Sequence, residues 1–250
     1  MDARRRIVVI GATSGIAEHC CRLWLQEAAS DLVLVARDAA KLDRIAADLR
    51  VRSPASTIAT VIMDFLDTEA IRQLAERSSA SGPIDIVLIA HGVLSVQGTC
   101  EADLAACREA LEVNAVSPAL FAEAFARNIA KVGKGTICII GSVAGDRGRK
   151  ANYVYGSSKG LLSRYAEGME HRFAGTGVRI VLAKPGPTDT PMSAHLKAKG
   201  KRLASAESVA RDIVRAIAKG KPLIYAPWQW RWIMMIVRHL PRFIFNRLNI

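Results

Sequence analysis

The sequence predicts an α/β protein built on a doubly wound, parallel sheet of seven strands with helices on both faces. Short runs rich in Val, Ile and Leu recur along the chain without apolar–polar alternation, which is typical of strands buried on both faces of a parallel sheet. Segments of helical periodicity separate these runs, and such alternation indicates consecutive β–α–β units. The expected strands cover residues 7–10, 31–35, 57–62, 85–90, 136–140, 178–183 and 223–225.

The expected helices lie between these strands, at residues 16–28, 39–50, 68–79, 101–112, 116–131, 155–173 and 206–219. A length of 250 residues, half of them hydrophobic, suits one domain, placed at residues 1–227, with a C-terminal extension at 228–250. The composition excludes a disordered chain and a disulfide mini-protein. Ligands in open parallel sheets bind beyond the carboxyl ends of the strands, so functional residues are expected there.

The charge of the chain is unevenly distributed. Lys and Arg number 35 against 23 Asp and Glu, a formal net charge of +12, and such an excess favours a polyanionic partner. No acidic residue follows Asp212, whereas seven basic residues do: Arg215, Lys219, Lys221, Arg231, Arg238, Arg242 and Arg247. Nucleic acid is not expected as the partner, because no DNA- or RNA-binding motif is present and the C-terminal segment is apolar and rich in Trp.

The cysteine content and the hydropathy pattern indicate the cellular location. Five cysteines without a CxxC pair, or a metal-like pairing with histidine, indicate a reducing compartment and predict no metal site. The apolar run after the N-terminal bases is too short for a signal peptide. No apolar stretch approaches the roughly 20 residues that span a bilayer. A cytoplasmic protein is expected.

The first strand leads into a glycine-containing loop, GATSGIA, at residues 11–17. Gly11 permits a tight turn, and Gly15 lets backbone N–H groups approach a pyrophosphate at the helix N-terminus. The position of the loop in the first β–α turn favours a dinucleotide site over an ordinary tight turn. Thr13, Ser14 and Ile16 are assigned to the same site.

The ends of the second and third strands bear on the choice of cofactor. Arg37 stands at the tip of the second strand, where a base accommodates a 2′-phosphate and an acid accepts the ribose 2′-hydroxyl. NADPH is therefore the expected cofactor, with NADH as the alternative because Asp38 follows directly. A solvated strand-end charge is the other interpretation of Arg37. Asp64 closes the third strand, either beside the adenine ring or as an exposed turn residue.

A group of polar side chains follows the fourth and fifth strands. Ser142 comes directly after the fifth strand, and Tyr155 and Lys159 open the next helix. Their i,i+4 spacing places the phenol and the ammonium on one helical face. The charge of Lys159 is expected to draw the phenol pKa from about 10 toward the range of a general acid. Asn114 supplies a further polar side chain.

Together these residues resemble the short-chain dehydrogenase/reductase family, with its Rossmann-type fold, over nearly the whole chain. The resemblance includes the Ser142–Tyr155 interval and the segment KPGPTDT at residues 184–190. It implies that Tyr155 donates a proton to a carbonyl while hydride arrives from the nicotinamide, and that Ser142 bonds the same oxygen. It also implies that Lys159 holds the nicotinamide ribose and Asn114 carries a relay water. Further cofactor contacts are implied for Pro185, Gly186, Thr188 and Thr190, and a homodimer or homotetramer is expected.

Two positions depart from the family pattern. Ala17 replaces the third glycine of the loop and still allows close helix packing. After the fourth strand, where the family commonly has Asn-Asn-Ala-Gly, the chain reads Ile89-Ala-His-Gly92. Ala90 and Gly92 keep the close approach to the adenosine ribose, but the Asn side chain is missing. His91 is interpreted as a turn residue.

Basic residues near the expected carbonyl suggest an anionic substrate. Arg147 and Arg149, followed by Lys150, lie between Ser142 and Tyr155, and His195 and Lys197 lie in an expected substrate lid at about 187–204. Arg suits phosphate through its bidentate geometry. A solvated loop without a ligand is the alternative for both segments.

The C-terminal segment 228–250 predicts an amphipathic helix. At roughly 100° per residue, Arg231, Arg238 and Arg242 share one sector and apolar residues fill the rest. Pro241 either kinks this helix or starts a second one. A cationic, Trp-bearing apolar helix is typical of a membrane interface with anionic headgroups, here the inner face of the plasma membrane. The alternative is a helix that docks on a homodimer or covers the lid.

The sequence also resembles one branch of the family, the decaprenylphosphoryl-2-keto-erythro-pentose reductases of cell-envelope biosynthesis. The likeness lies in AHG at 90–92, ANYVYGS at 151–157, MSAHLK at 192–197 and the segment 234–245. It implies a polyprenyl-phosphate-linked keto-pentose as substrate. The alternative is a reductase of a small soluble ketone or an acyl-thioester, with the C-terminal segment serving as lid or dimer contact.

Overall fold

The computed structural model describes residues 4–248 apart from 199 and 201, and the side chains of 195 and 196 also lie outside the description. The strands are β1 (Arg5–Ile10), β2 (Ser30–Ala36), β3 (Thr57–Ile62), β4 (Ile86–Ile89), β5 (Lys134–Ile140), β6 (Gly177–Pro185), β7 (Thr188–Asp189), β8 (Ala204–Ser205) and β9 (Leu223–Ala226). Seven strands of this described region form a parallel sheet in the order β3-β2-β1-β4-β5-β6-β9. The predicted doubly wound α/β fold is confirmed.

Helices cover both faces of this sheet. They are α1 (Gly15–Glu27), α2 (Ala39–Arg52), α3 (Thr68–Ala80), α4 (Gln97–Ala102), α5 (Leu104–Leu111), α6 (Ser117–Val132), α7 (Tyr153–Arg172), α8 (Ala194–Ala198), α9 (Ala206–Ala218), α10 (Trp230–His239) and α11 (Arg242–Phe245). One core packs α1, α2 and α9 on the sheet around Trp24. The other packs α3, α6 and α7 around Phe121 and Phe125. Burying each of these large side chains contributes about 1.5–3 kcal/mol.

The order of the strands reverses between β1 and β4. The chain runs outward from β1 through β2 to β3 and then returns to β4 on the other side of β1. The loops that follow β1 and β4 therefore leave in opposite directions, which opens a crevice at the carboxyl ends of the strands. Ligand-binding residues predicted after these two strands face the same crevice.

Side-chain caps explain where several helices begin. The Asp38 carboxylate accepts from the Lys41 N–H at 2.9 Å and caps α2. The Asp103 carboxylate accepts from the Ala105 N–H at 2.8 Å. This cap begins α5 and divides the predicted helix 101–112, so that part of the expectation was wrong. Gly133, with a φ of +79°, ends α6, where a side chain would be strained.

The C-terminal segment does not form one continuous helix. The α10 helix ends at His239, and α11 begins after Pro241, whose missing N–H and fixed φ suit a helix start. Arg231 and Arg238 lie on α10, whereas Arg242 belongs to α11, so the expected single stripe of three arginines is interrupted. Within the described residues, no helix is both long and apolar enough to span a membrane.

Candidate active site

The glycine loop packs directly against the loop that follows β4. The Gly11 and Ala12 N–H groups donate to the Val35 carbonyl at 2.9 and 3.0 Å. A Cβ on Gly11, whose φ is +80°, would lie 2.6 Å from the His91 backbone nitrogen. Any side chain at Gly11 would push these two loops apart, so the glycine is required by a close approach as well as by its backbone conformation.

The start of α1 is open to an anion. Ser14 occupies the N-cap but makes no side-chain capping bond, so the first N–H groups of this 13-residue helix lack that partner. Thr13 and Ser14 are partly exposed, whereas the Ile16 side chain is buried in the core. Of Ile16, only the backbone therefore remains available to a ligand. A Cβ on Gly15 would contact the Thr190 side chain, which places Thr190 at the same end of the sheet.

The end of β2 carries an exposed guanidinium. Arg37 is exposed, and its Cζ lies 5.8 Å from the centre of the Phe65 ring. Asp38 is already used as the cap of α2, so its carboxylate is turned to the helix. Asp64 is also exposed and accepts from the Leu66 N–H at 2.9 Å, the behaviour of a turn residue.

His91, interpreted as a turn residue, lies in the loop that follows β4, and its side chain is buried. Its Nε2 lies 2.9 Å from Ser117 Oγ, and that hydroxyl donates to the Phe65 carbonyl at 2.6 Å. The single Ser117 proton is thus used, so we assign the Nε2–H of His91 as the donor. Burial, helped by the charges of Lys159 and Arg37, lowers the pKa of His91 to about 3. The ring is therefore neutral and braces the loop in which Ala90 replaces the Asn that the family commonly has.

Asn114 lies in a π-helical turn, Glu112–Val116, between α5 and α6. Such turns are rare in proteins, and those that occur are often found at functional sites. The buried Asn114 Oδ1 accepts from the Val93 N–H at 2.8 Å, and a Cβ on Gly92 would lie 2.7 Å from that oxygen. Among the described residues, Asn114 Nδ2 has no hydrogen-bond partner despite its burial. A buried N–H of this kind needs a partner, which an ordered water or a ligand can supply.

Ser142, Tyr155 and Lys159 meet beside Asn114. The Ser142 side chain lies near enough to the Tyr155 hydroxyl to lower its pKa, and Ser142 Oγ accepts from the Ala144 N–H at 3.1 Å. Lys159 Nζ donates to the Ile140 carbonyl at 3.1 Å and lies 5.9 Å from the Tyr155 ring centre. The expected grouping of these side chains is therefore present at the carboxyl end of β5.

The electrostatics of this group differ from the sequence-based expectation. Burial raises the pKa of Tyr155, and the Ser142 hydrogen bond opposes this only in part. Burial also lowers the pKa of Lys159 to about 8. The expected lowering of the Tyr155 pKa by Lys159 is not found: desolvation dominates, and Lys159 Nζ lies 5.9 Å from the centre of the ring. Tyr155 is a protonated hydroxyl at neutral pH, as a proton donor must be.

Arg147, which the sequence assigns to the substrate, contacts the C-terminal segment in the structure. Its Nη1 donates to the carbonyls of Val237 and Leu240 at 2.5 and 2.7 Å. Its Cζ lies 3.7 Å from the centre of the Phe245 ring. The guanidinium thus satisfies carbonyls at the C-terminus of α10, where a cation is favoured. It joins the loop after Ser142 to the C-terminal segment.

The other predicted substrate residues differ in their surroundings. Arg149 Nε is buried without a hydrogen-bond partner in the described structure. It lines a recess of about 130 Å³ with Lys150, Phe245, Asn246 and Leu248. Lys197 is exposed, and its Nζ lies 2.6 Å from Asp189 Oδ2. Its ammonium is therefore already paired with a carboxylate of the protein. The His195 side chain lies outside the described residues.

A buried ion pair, which the sequence did not reveal, supports the loop that follows Ser142. Lys184 Nζ lies 2.6 Å from Asp146 Oδ1, and the two side chains are 5% and 2% exposed. The Tyr225 hydroxyl donates to Asp146 Oδ2 at 2.8 Å. Burial and this carboxylate raise the pKa of Tyr225 to about 12, so it remains a donor. The three residues connect the loop after β5 with β6 and β9.

The C-terminal segment also contacts the turn expected to hold the nicotinamide. A Cβ on Gly186 would overlap the Trp230 indole. Met234, one turn further along α10, is also buried. Pro185 is buried at the end of β6, and Thr188 Oγ1 donates to the Gly186 carbonyl at 2.9 Å. The α10 helix thus packs directly on this turn.

The residues present fit a dinucleotide. The uncapped start of α1, the crevice between the loops after β1 and β4, and the unpartnered Asn114 amide lie at one end of the sheet. Ala90 is buried, and its N–H donates to the Ile10 carbonyl at 2.8 Å, which keeps the second loop beside the first. The described residues include no cluster of three metal-ligating side chains.

Comparison with known proteins gives a consistent result. The family model described as short chain dehydrogenase matches residues 5–201. An uncharacterized oxidoreductase of Mycobacterium tuberculosis, Rv2073c, is 33% identical over 248 residues, covering 97% of this chain and 96% of that protein. The galactitol 2-dehydrogenase (L-tagatose-forming) of Cereibacter sphaeroides is 30% identical over 191 residues, 76% of this chain and 73% of the relative.

Solved structures are similar in fold. A short chain dehydrogenase from Burkholderia cenocepacia in complex with NADP has a TM-score of 0.83 at 20% identity, over 99% of this chain and 98% of the other. A short-chain dehydrogenase from Sphingobium yanoikuyae in complex with NADPH has a TM-score of 0.83 at 20% identity, over 98% of this chain and 96% of the other. At this identity, the likeness concerns the fold alone.

Proposed function

Because this chain belongs to the short-chain dehydrogenase family of oxidoreductases, we propose that it reduces a keto group with NADPH and with Tyr155 as the general acid. The observation that carries the proposal is the grouping of Ser142, Tyr155, Lys159 and Asn114 beside the glycine loop. NADPH, when bound, supplies the hydride that the carbonyl carbon accepts.

Each residue of the group has a chemical role in that reduction. Tyr155 donates its proton to the carbonyl oxygen, and Ser142 hydrogen-bonds the same oxygen and orients it. Lys159 and the glycine loop hold the cofactor. The unpartnered Asn114 amide binds a water through which Tyr155 regains a proton from solvent. The reaction adds a hydride to carbon and a proton to oxygen and yields an alcohol.

Arg37 supports NADPH over NADH. The guanidinium is exposed at the tip of β2 and, within the described chain, makes no ion pair, while Asp38 is engaged as a helix cap. A lost charge-assisted hydrogen bond costs about 1.5–3 kcal/mol, which corresponds to a roughly 10- to 150-fold lower kcat/KM. Arg37→Ala should lower the ratio of kcat/KM for NADPH to that for NADH by such a factor. An unchanged ratio would remove Arg37 from cofactor recognition.

For the substrate, we propose a polyprenyl-phosphate-linked keto-pentose. Arg149 supports this class, because it lines a recess together with the apolar residues Phe245 and Leu248 and its buried Nε has no partner among the described residues. Such a recess combines a cation for phosphate with a surface for a lipid chain. The sequence resemblance to the branch that reduces this class of keto-pentose agrees with it.

A soluble keto-sugar is the second candidate. It is favoured by the similarity to the galactitol 2-dehydrogenase (L-tagatose-forming) of Cereibacter sphaeroides. The test is oxidation of NADPH with an oxidised polyprenyl-phosphoryl pentose, with L-tagatose and other soluble ketones alongside. If the lipid-linked sugar is the substrate, its kcat/KM should be the higher one. Arg149→Ala should then lower kcat/KM for the lipid-linked sugar and leave that for the soluble ketones unchanged. Turnover of the soluble ketones alone would refute it.

We also propose that the protein works in the cytoplasm as an oligomer located on the inner face of the plasma membrane. Leu120 of α6 and Leu161 of α7 are exposed apolar residues on adjacent helices, which suits a homodimer contact. Sedimentation velocity should give a dimer for the wild-type chain and a monomer for Leu161→Glu. A monomeric wild type would exclude that contact.

A further inference from the structure

A second cleft, of about 550 Å³, opens beside β9 at the edge of the sheet. None of the four candidate catalytic side chains lines it. Its walls are the last turns of α9, the turn that leads into β9, and the start of the C-terminal segment. Four basic side chains surround it: Arg215, Lys219, Lys221 and Arg231.

The charge of this cleft is poorly compensated. Asp212 is its only acidic lining residue, and none of the four bases forms an ion pair with a described carboxylate. Arg215 and Lys219 lie near the C-terminus of α9, where cations are favoured by the helix dipole. That explanation does not extend to Lys221 and Arg231. Clustered cations in a concave surface attract anions.

An apolar surface borders the cleft. Trp228, which is exposed, lines the cleft itself. Beyond it, the outward face of α10 presents Trp232, Met235 and Ile236, which are 52%, 47% and 61% exposed. Trp232 and Ile236 lie on the side of the helix opposite the buried Met234, and Met235 flanks them. Arg231 lines the cleft, and its Cζ lies 5.9 Å from the centre of the Trp232 ring, so the cationic cleft adjoins the apolar face.

We propose that this combined surface docks on an anionic lipid bilayer, with the phosphate headgroup of one lipid in the cleft and the outward face of α10 in the interface. Exposed Trp, Met and Ile next to bases is the pattern that binds at this depth of a membrane. The proposal deepens the location given under the proposed function and rests on it. The reductase chemistry does not depend on it.

A second copy of the chain fits this surface less well. In a two-fold interface the same patch meets itself, so the four bases of one protomer would face the same four bases of the other. A single Asp212 on each side leaves most of that charge uncompensated. A surface of phosphate groups compensates all four.

The test compares full-length variants on vesicles. Lys219→Ala/Lys221→Ala removes two cleft charges without touching the catalytic group. Lys131→Ala/Lys134→Ala is the matched control, because it likewise removes one lysine from a helix end and one from just beyond it, both exposed. A chain cut at Pro227 is unsuitable, since it would lose Trp230 and the partners of Arg147.

Wild-type protein should cosediment with vesicles of phosphatidylglycerol and phosphatidylcholine but not with phosphatidylcholine alone. At about a fivefold contribution per base near the surface, the cleft variant should bind roughly 30-fold more weakly, and the control variant should bind like wild type. Trp232→Ser/Ile236→Ser should also weaken binding. All of these variants should keep wild-type turnover of a soluble ketone, so loss of that turnover bears on the proposed function alone.

Three results would overturn the docking proposal. The first is equal vesicle binding by the cleft variant and its control. The second is a cleft variant that changes the sedimentation coefficient of the free protein but not its vesicle binding, which would indicate a protein contact. The third is displacement from vesicles by millimolar inorganic phosphate at constant ionic strength, which would make the cleft a site for a free anion.

Discussion

Replacing Lys159 by Met should make the folded protein more stable while it removes activity. Burial lowers the pKa of Lys159 from its ordinary 10.5 to about 8, so the charged form is disfavoured in the folded state. At 1.36 kcal/mol per pH unit, this fall corresponds to about 3 kcal/mol of destabilisation at neutral pH. The variant also loses the hydrogen bond to the Ile140 carbonyl, which costs about 1 kcal/mol. A net gain of about 2 kcal/mol is expected.

The gain has a characteristic pH dependence. Below pH 8 the ammonium is protonated in both states, so the destabilisation is fully present. Between pH 8 and 10.5 the folded wild type has released the proton that the unfolded chain still holds. The stability of the wild type therefore rises with pH in this window, and the advantage of Lys159→Met declines through it.

Urea denaturation at several pH values between 7 and 10 measures this effect. Lys131→Met, at an exposed position, is the control and should leave the free energy of unfolding unchanged at every pH. Lys159→Met should have a higher urea midpoint at pH 7 and a kcat/KM reduced by at least about 100-fold. A variant that is less stable than wild type at pH 7, or an advantage that does not decline with pH, would refute the reasoning.

Further predictions concern the residues that connect the catalytic loop to the rest of the fold. Asp146→Asn leaves the buried Lys184 ammonium without its counter-ion and should cost about 3–5 kcal/mol in urea denaturation. Tyr225→Phe should cost only about 1 kcal/mol, and equal losses would contradict the ion-pair account. Arg147→Ala should cost about 2–3 kcal/mol and alter Trp fluorescence, because α10 loses two carbonyl bonds and the Phe245 contact. Wild-type stability of Arg147→Ala would contradict a stabilising contact between Arg147 and the C-terminal segment.

The sheet was predictable because its signals are local. Each strand is a short apolar run, and the Tyr155–Lys159 pair is fixed by helical spacing within one element, so both could be read from neighbouring residues. The glycine loop was equally local. These parts of the site appear at the expected end of the sheet.

The remaining features depend on contacts between distant residues. Asp146 meets Lys184 across 38 positions and Tyr225 across 79, and no spacing rule connects them. Arg147 resembles a substrate cation in sequence, but the end of α10 uses its donors. The pKa of Tyr155 depends on how deeply the fold buries it, which the i,i+4 spacing does not reveal.

The central claim is that the Tyr155 hydroxyl is the proton donor. The most direct test is kcat/KM for Tyr155→Phe with any ketone that the wild type reduces, alongside the Kd for NADPH from fluorescence titration. We predict a loss of about 100- to 10,000-fold in kcat/KM with an unchanged Kd, because only the hydroxyl is removed. Wild-type turnover by this variant would contradict the account.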